Sequence, residues 1–413
     1  MTGLTKHLGS PNVLTMLRGS LAALLAIVLL AGCSGGARTC PACQAGGSAA
    51  TPAVLAASQP AEISAPYRKP PSRYVIDGRA ALQTVITRAF AITVAQPPTI
   101  LLLSGGGSYG SWGAGVLNGW SAAGNRPPAF NIVTGISTGA MIATYAYLGA
   151  GADATMKTVY TTLTTGQVYT DRFLPWALFF SSSLKDTDPL DISLPLFIPT
   201  TLIDQVATEY AATQRALLVG TVNFDSGEFI VWNMGEVAAA HDYQRYWRIL
   251  RAATALPVIF TPVLIDDELH VDGGAREQIF GSDMASALLA AWQSLSRPGT
   301  PTAYLIVNGQ IGVRRQCVRP RILPMALRTV GVMMDEGMIG NLYRVRALLQ
   351  GWSLNLSKIP NNYIVGGPPY VFDPAFMAPL FNQGFAWAST APQPWEPLPD
   401  DSPLSLLPCE ASP

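Results

Sequence analysis

The chain has 413 residues, 49% of them hydrophobic and 13% charged, with 26 basic and 26 acidic side chains. It is long enough to bury a large core and suits one large α/β domain or two smaller ones. A formal net charge of zero, with no basic block, argues against nucleic acid as a partner. The charged fraction is about half that of ordinary soluble domains and fits work beside lipid.

The N-terminus reads as an address. Lys6 and Arg18 precede an apolar run over 20–31, too short for the ~20 residues of a bilayer-spanning helix. That is the pattern of a signal peptide. The run ends in Leu30-Ala31-Gly32-Cys33, which resembles the bacterial lipobox. The resemblance implies that residues 1–32 are removed and Cys33 is lipidated. Ser34, rather than Asp, implies an outer-membrane anchor facing the periplasm. An ordinary signal cleaved near here is the alternative, and Met16 would give a signal of more usual length. Residues 33–74 are rich in Gly, Ala, Pro and Ser and read as a tether with a reach of roughly 35 Å. Cys40 and Cys43 sit near no His and no second pair, which favours a local disulfide or idle thiols over zinc. Cys317 and Cys409 are candidates for a bridge pinning the tail.

The folded part is expected over 75–390. Residues 80–94 read as an amphipathic helix. Residues 99–103 form a continuous apolar strand, as in a parallel sheet, and run into Ser104-Gly105-Gly106-Gly107-Ser108-Tyr109-Gly110, with a helix expected over 113–122. A glycine-rich turn between strand and helix presents backbone N–H groups to an anion. Gly105, Gly107 and Gly110 satisfy the dinucleotide spacing G-x-G-x-x-G, which requires an acidic residue about 20 positions on. None occurs between Gly105 and Ala152. An oxyanion hole is the stronger reading, and a purely structural turn is a third.

A second apolar strand near 130–133 enters Gly135-Ile136-Ser137-Thr138-Gly139, followed by residues that favour helix. A serine on a sharp strand-to-helix turn, with small neighbours, is a nucleophile elbow. Helices are expected at 153–164 and 202–212. Between them, 172–199 is aromatic, apolar and broken by proline, suiting either an acyl-pocket wall or core. Residues 215–223 and 228–234 read as a hairpin about Asp225-Ser226-Gly227. A helix should end near Ala255, because Pro257 restricts the residue before it. An extended stretch over 265–271 then delivers Asp272-Gly273-Gly274, a carboxylate on a tight turn. Residues 282–295 read as helix, 302–307 as buried strand, and 323–350 as a long helix interrupted near Gly337 or Gly340. A last strand is expected at 363–365. The tail from 391 is proline-rich and irregular.

A serine hydrolase needs a base. The histidines are His7, in the signal, His241, among charged and aromatic residues, and His270, two residues before Asp272. On a strand His270 and Asp272 point the same way, which keeps a Ser-His-Asp triad open. The alternative is a Ser-Asp dyad.

The three motifs Gly105–Gly110, Gly135–Gly139 and Asp272–Gly274 occur in that order. With Thr254-Ala255-Leu256-Pro257-Val258-Ile259-Phe260-Thr261-Pro262 before the acid, the chain resembles the patatin-like phospholipase family from about 97 to 308, extending to about 390 in a bacterial lipoprotein subgroup. The resemblance implies a three-layer α/β/α fold with a mostly parallel central sheet. It implies Ser137 as nucleophile, Asp272 as base, and an oxyanion hole from Gly105, Gly106, Gly107 and Gly110. Gly135, Gly139, Gly273 and Gly274 complete the motifs. No metal or cofactor is implied. The expected partner is a membrane lipid or other acyl ester, met at a membrane surface through lipidated Cys33, and the expected activity is a phospholipase A-type acyl-ester hydrolase. An inactive lipid-binding envelope lipoprotein, or an acyltransferase, are the other readings. One departure stands out: Tyr109 occupies a position that is usually Arg or Lys in the family. An Asp near its free pKa of ~3.9 is a poor base, so the site must bury or align Asp272.

Overall fold

The structure, a computed structural model, describes residues 73–410 except 76–78, 93–95, 172–181, 281, 317, 319, 321, 391 and 400–405. The signal region, Cys33, the Cys40/Cys43 pair, most of the tether, the first part of the 172–199 segment and Cys317 lie outside the described residues.

Among the described residues the strands are β1 (Arg73–Val75), β2 (Thr99–Leu103), β3 (Ile132–Gly135), β4 (Thr170–Asp171), β5 (Lys185–Asp186), β6 (Ala216–Asn223), β7 (Phe229–Asn233), β8 (Val263–Ile265), β9 (Glu268–Asp272), β10 (Thr302–Val307), β11 (Val313–Gln316), β12 (Ser353–Lys358) and β13 (Leu406–Glu410). The main sheet runs β1-β7-β6-β3-β2-β10-β12. From β6 to β12 the neighbours are parallel. β7 and β1 extend it antiparallel, and the β8–β9 hairpin joins β6.

The helices that cover it are α1 (Arg79–Ala91), α2 (Gly110–Ala122), α3 (Thr138–Leu148), α4 (Asp153–Thr162), α5 (Asp188–Phe197), α6 (Thr200–Thr213), α7 (Tyr243–Ala253), α8 (Ser282–Ser294), α9 (Ile322–Leu348) and α10 (Pro374–Ser389). Side chains alternate across a strand, and here both faces are apolar. Leu101, Leu103, Val133, Leu217 and Val219 pack with α2 to α7 and α10. Ile100, Leu102, Ile132, Ala216 and Leu218 pack with α1, α8 and the second half of α9. Continuous apolar strands under helices on both sides make the expected three-layer α/β/α architecture.

Helix α2 carries Gly110, Gly113, Gly115 and Gly119, each costing up to ~1 kcal/mol relative to Ala in a helix. Packing offsets that cost. A Cβ on Gly115 or Gly119 would overlap the carbonyl oxygens of Phe381 or Phe385 in α10, and one on Gly384 would stand 2.5 Å from the Trp112 carbonyl oxygen. The two helices therefore meet backbone to backbone.

The structure departs from the sequence expectations in several places. Residues 363–365 are a loop, and the Gln310 amide donates to the carbonyls of Pro360 and Tyr363, each at 2.9 Å. The edge strand is instead β12. Helix α9 runs unbroken through Gly337 and Gly340. Arg73 and Tyr74, expected in the tether, pair with β7. Residues 406–410, expected to be irregular, pair with β11, where Cys409 stands opposite Arg315.

Replacing Gly119 with Val should destabilise the fold by about 1–3 kcal/mol, read as a lowered urea midpoint. An unchanged midpoint would mean that α2 and α10 are not in backbone contact.

Candidate active site

Strand β6 is twice as long as β3, and two strands share one of its edges. β3 pairs with its first half, placing Gly135 opposite Val219. β9 pairs with its second half, placing Asp272 opposite Thr221. β7 occupies the other edge across both halves. Asp272 is thus held two positions beyond the end of β3, where the chain has advanced two residues, to Ser137.

Ser137 has φ 51° and ψ −127°, a conformation costing a non-glycine residue on the order of 1–3 kcal/mol. The turn around it is closed by Gly139 N–H to Ile136 O (2.7 Å) and Ala140 N–H to Ser137 O (2.9 Å). Its flanking glycines are steric requirements. A Cβ on Gly135 would overlap the Gly139 carbonyl oxygen, and one on Gly139 would stand 2.6 Å from the Leu103 carbonyl oxygen. Helix α3 starts immediately after, so its positive end faces the serine.

Asp272 is 3% exposed. Its Oδ1 accepts the Gly274 N–H at 2.8 Å, and its carboxylate accepts the Ser137 hydroxyl. Its own N–H donates to Ala255 O at 2.9 Å, which ties it to the end of α7. Gly273 lets this turn lie against β6: a Cβ there would stand 2.7 Å from the Gly220 carbonyl oxygen. Burial pushes the carboxyl up to about 7, against the smaller downward pull of the Gly274 and Ser137 donors. Desolvation dominates because a carboxylate loses water on burial faster than two donors replace it.

The glycine loop lies beside this pair, and a Cβ on Gly105 would stand 3.2 Å from Ser137 Cβ. Gly106 (φ 151°) and Gly107 (φ 55°) take a backbone path that only glycine follows freely. The four glycines play different parts. Gly105 N–H is spent on Gln278 O (3.2 Å) and Gly110 N–H on Gly107 O and Ser108 O. Among the described residues, the N–H groups of Gly106 and Gly107 have no protein acceptor. Gly105 and Gly110 contribute by lacking a side chain, since a Cβ on Gly110 would overlap Thr138 Oγ1. With those N–H groups spent, the loop is not the open cradle a pyrophosphate needs. Thr138, the first residue of α3, was not singled out from sequence. Its N–H is at the start of the helix and lacks an intrahelical acceptor.

The histidines are elsewhere. His270 is fully buried with its Nδ1 3.0 Å from Thr221 Oγ1, its ring against Trp232 and its Nε2 3.9 Å from Glu268. His241 is exposed beside Asp204. Neither meets Ser137 or Asp272. Among the described residues no group of three His, Cys, Asp or Glu is placed to hold a metal.

Two positioning residues, Gln278 and Asn308, escaped the sequence reading. Gln278 clamps two motifs together: its carbonyl accepts from Gly105, its side-chain amide donates to Gly274 O, and its N–H donates to Asn341 Oδ1 at 2.9 Å. Asn308, directly after β10, holds Ser104 through Nδ2 and N–H at 2.8 Å each and accepts Gly113 N–H at 3.1 Å. Tyr109 is buried, its hydroxyl donating to Gly367 O at 2.9 Å. Ser108 N–H donates to Pro369 O at 2.9 Å. The loop around 367–369 is therefore strapped across the glycine turn. The one signal in the sequence was position: a polar residue directly after an apolar parallel strand lies at the sheet end where α/β sites form.

Residues 101–280 match the model of the patatin-like phospholipase family. The match takes in the glycine loop, Ser137 and Asp272. No curated protein matches the chain.

The raised Asp272 has a sign-definite effect on stability. The folded chain keeps its proton to about pH 7, whereas the unfolded chain loses it near 3.8. The contribution of the neutral carboxyl is complete below the lower value and is lost as pH rises through the upper one. Asp272→Asn carries no such charge. It should match wild type in urea unfolding near about pH 4 and exceed it by a few kcal/mol near about pH 8. Parallel stability curves would contradict the buried, raised carboxyl.

Proposed function

We propose that this chain is a serine acyl-ester hydrolase of lipids, working through a Ser137–Asp272 dyad and an oxyanion hole built on Gly106 and Gly107. The observation that carries it is the Ser137 hydroxyl bonded to a desolvated Asp272 carboxylate, beside two unspent backbone donors. Ser137 Oγ attacks the acyl carbonyl while Asp272 takes its proton. The Gly106, Gly107 and Thr138 N–H groups receive the oxyanion, each such donor being worth roughly 3–4 kcal/mol. The tetrahedral intermediate collapses as Asp272 returns the proton to the leaving alcohol. A water then gives its proton to Asp272 and attacks the acyl-enzyme, and Asp272 returns that proton to Ser137 Oγ as the acyl–Oγ bond breaks, releasing the fatty acid and free Ser137. A base near 7 is matched to this task at neutral pH, where one near ~3.9 is not.

The strained φ of Ser137 supports the same reading, because strain held by a packed scaffold keeps the hydroxyl aimed. We propose further that Cys33 lipidation holds the enzyme at the outer membrane through the tether between Cys33 and β1. With Tyr109 tied to Gly367, the cation usual at that position is replaced by a neutral phenol. This favours recognition of the acyl ester over recognition of a headgroup phosphate.

Wild type should hydrolyse short- and long-chain acyl esters and be labelled by a fluorophosphonate. Ser137→Ala should abolish both, and Asp272→Asn should lower turnover by at least about 10³-fold. His270→Gln, which keeps a polar group in the buried slot, should retain most activity. Loss of activity in His270→Gln with the fold intact would move the base to histidine. No turnover and no labelling of folded wild type would overturn the hydrolase reading.

A further inference from the structure

We propose that the first half of α9 is a bilayer-docking element that seats the active site on an anionic lipid surface. The choice of a lipid bilayer as its occupant rests on the acyl-hydrolase reading above.

The helix is divided in two. Ile339, Leu342, Val345 and Leu349 are buried under the sheet. None of residues 324–338 is buried, although the stretch is Pro-Met-Ala-Leu-Arg-Thr-Val-Gly-Val-Met-Met-Asp-Glu-Gly-Met. Met325, Val332 and Met333 are 54%, 48% and 68% exposed, and Leu327 is 37% exposed. Fifteen helical residues extend roughly 22 Å. Large apolar side chains exposed together along one helix mark an interaction site, and water gives no reason to keep them.

Two observations select a lipid surface. The first is charge. From residue 284 to 338 the sequence contains six arginines, Arg297, Arg314, Arg315, Arg319, Arg321 and Arg328, against two acids, Asp335 and Glu336, at the end of the projecting half. In a chain whose acidic and basic residues balance, this is a local cationic segment leading into an apolar helix, the composition that binds anionic headgroups while apolar side chains enter the acyl boundary. The second is continuity with the site. The projecting half ends where α9 reaches the catalytic clamp: a Cβ on Gly337 would stand 3.7 Å from Gln278 Cγ, and Asn341 accepts the Gln278 N–H at 2.9 Å. Gln278 in turn bonds Gly105 and Gly274. A helix lying in the interface would therefore bring the Ser137 turn to the lipid layer. No single helix among the described residues is long and apolar enough to cross a bilayer, so α9 lies in the surface rather than spanning it. Methionines suit this role because their flexible side chains adapt to disordered acyl chains.

The test uses the full chain and hydrogen–deuterium exchange at 324–338, a readout that an N-terminal lipid anchor does not mimic. Phosphatidylglycerol vesicles should slow exchange there by about tenfold or more, phosphatidylcholine vesicles less. Val332→Asp and Met333→Asp should each remove the slowing and lower hydrolysis of vesicle lipid by about tenfold, while leaving hydrolysis of a soluble short-chain ester unchanged. Slowing that is absent in wild type, or equal in both variants, overturns the proposal. So does slowing that appears without vesicles as protein concentration rises, which identifies a second copy as the occupant. Slowed exchange in a protein that turns over no ester would keep the docking element and reject the hydrolase. Ester turnover with unaffected exchange would do the reverse.

Discussion

The site depends on a difference in length between neighbouring strands. β3 stops at Gly135 after four residues, and β6 continues for four more past Val219. The vacated edge of β6 is filled by β9 running the opposite way. Because strand register fixes which residues stand side by side, the last residue of β9 is set beside the turn that leaves β3. Ser137 and Asp272 are 135 positions apart in sequence, yet one strand measures out both. The glycines at 135, 139 and 273 follow from this crowding, since each is pressed against a backbone carbonyl.

The same geometry sets the chemistry. Packing Asp272 under the sheet end removes its water and raises its affinity for a proton, which destabilises the folded chain once the group ionises. The strained Ser137 adds a second local cost. Both are borne by a sheet with apolar layers on each face and by the backbone-to-backbone seam between α2 and α10. The part of the molecule that orders the glycine loop is likewise distributed: Asn308 from the end of β10, Gln278 from beyond β9, and the 367–369 strap from the C-terminal region. Tyr109 belongs to this bracing.

Much of the centre was legible in the sequence because local rules suffice there. A run of Ile and Leu ending in Gly-Gly-Gly, and Ile-Val-Thr-Gly ending in a serine turn, specify strand, loop and helix within ten residues. What could not be read depended on distant partners. β12 is Ser-Leu-Asn-Leu-Ser-Lys, a weakly apolar edge whose strand character comes from pairing with β10. Helix α10 contains Pro379 and Gly384, which argue against helix locally and are tolerated because α2 receives it. His270 and Asp272 share a strand face, so spacing alone could not separate a triad from a dyad. The structure adds that the imidazole lies against Thr221 and Trp232, contacts that spacing does not reveal. Gln278 and Asn308 are single amides without a motif, and their roles exist only in three dimensions.

In the proposed mechanism Asp272, not a histidine, takes the Ser137 proton. Its most direct test is the rate at which a fluorophosphonate labels Ser137 as a function of pH, in wild type and in His270→Gln. The rate should rise through a single ionisation near 7, unchanged in position when His270 is replaced. A rate without that ionisation, or one whose ionisation vanishes in His270→Gln, would contradict it.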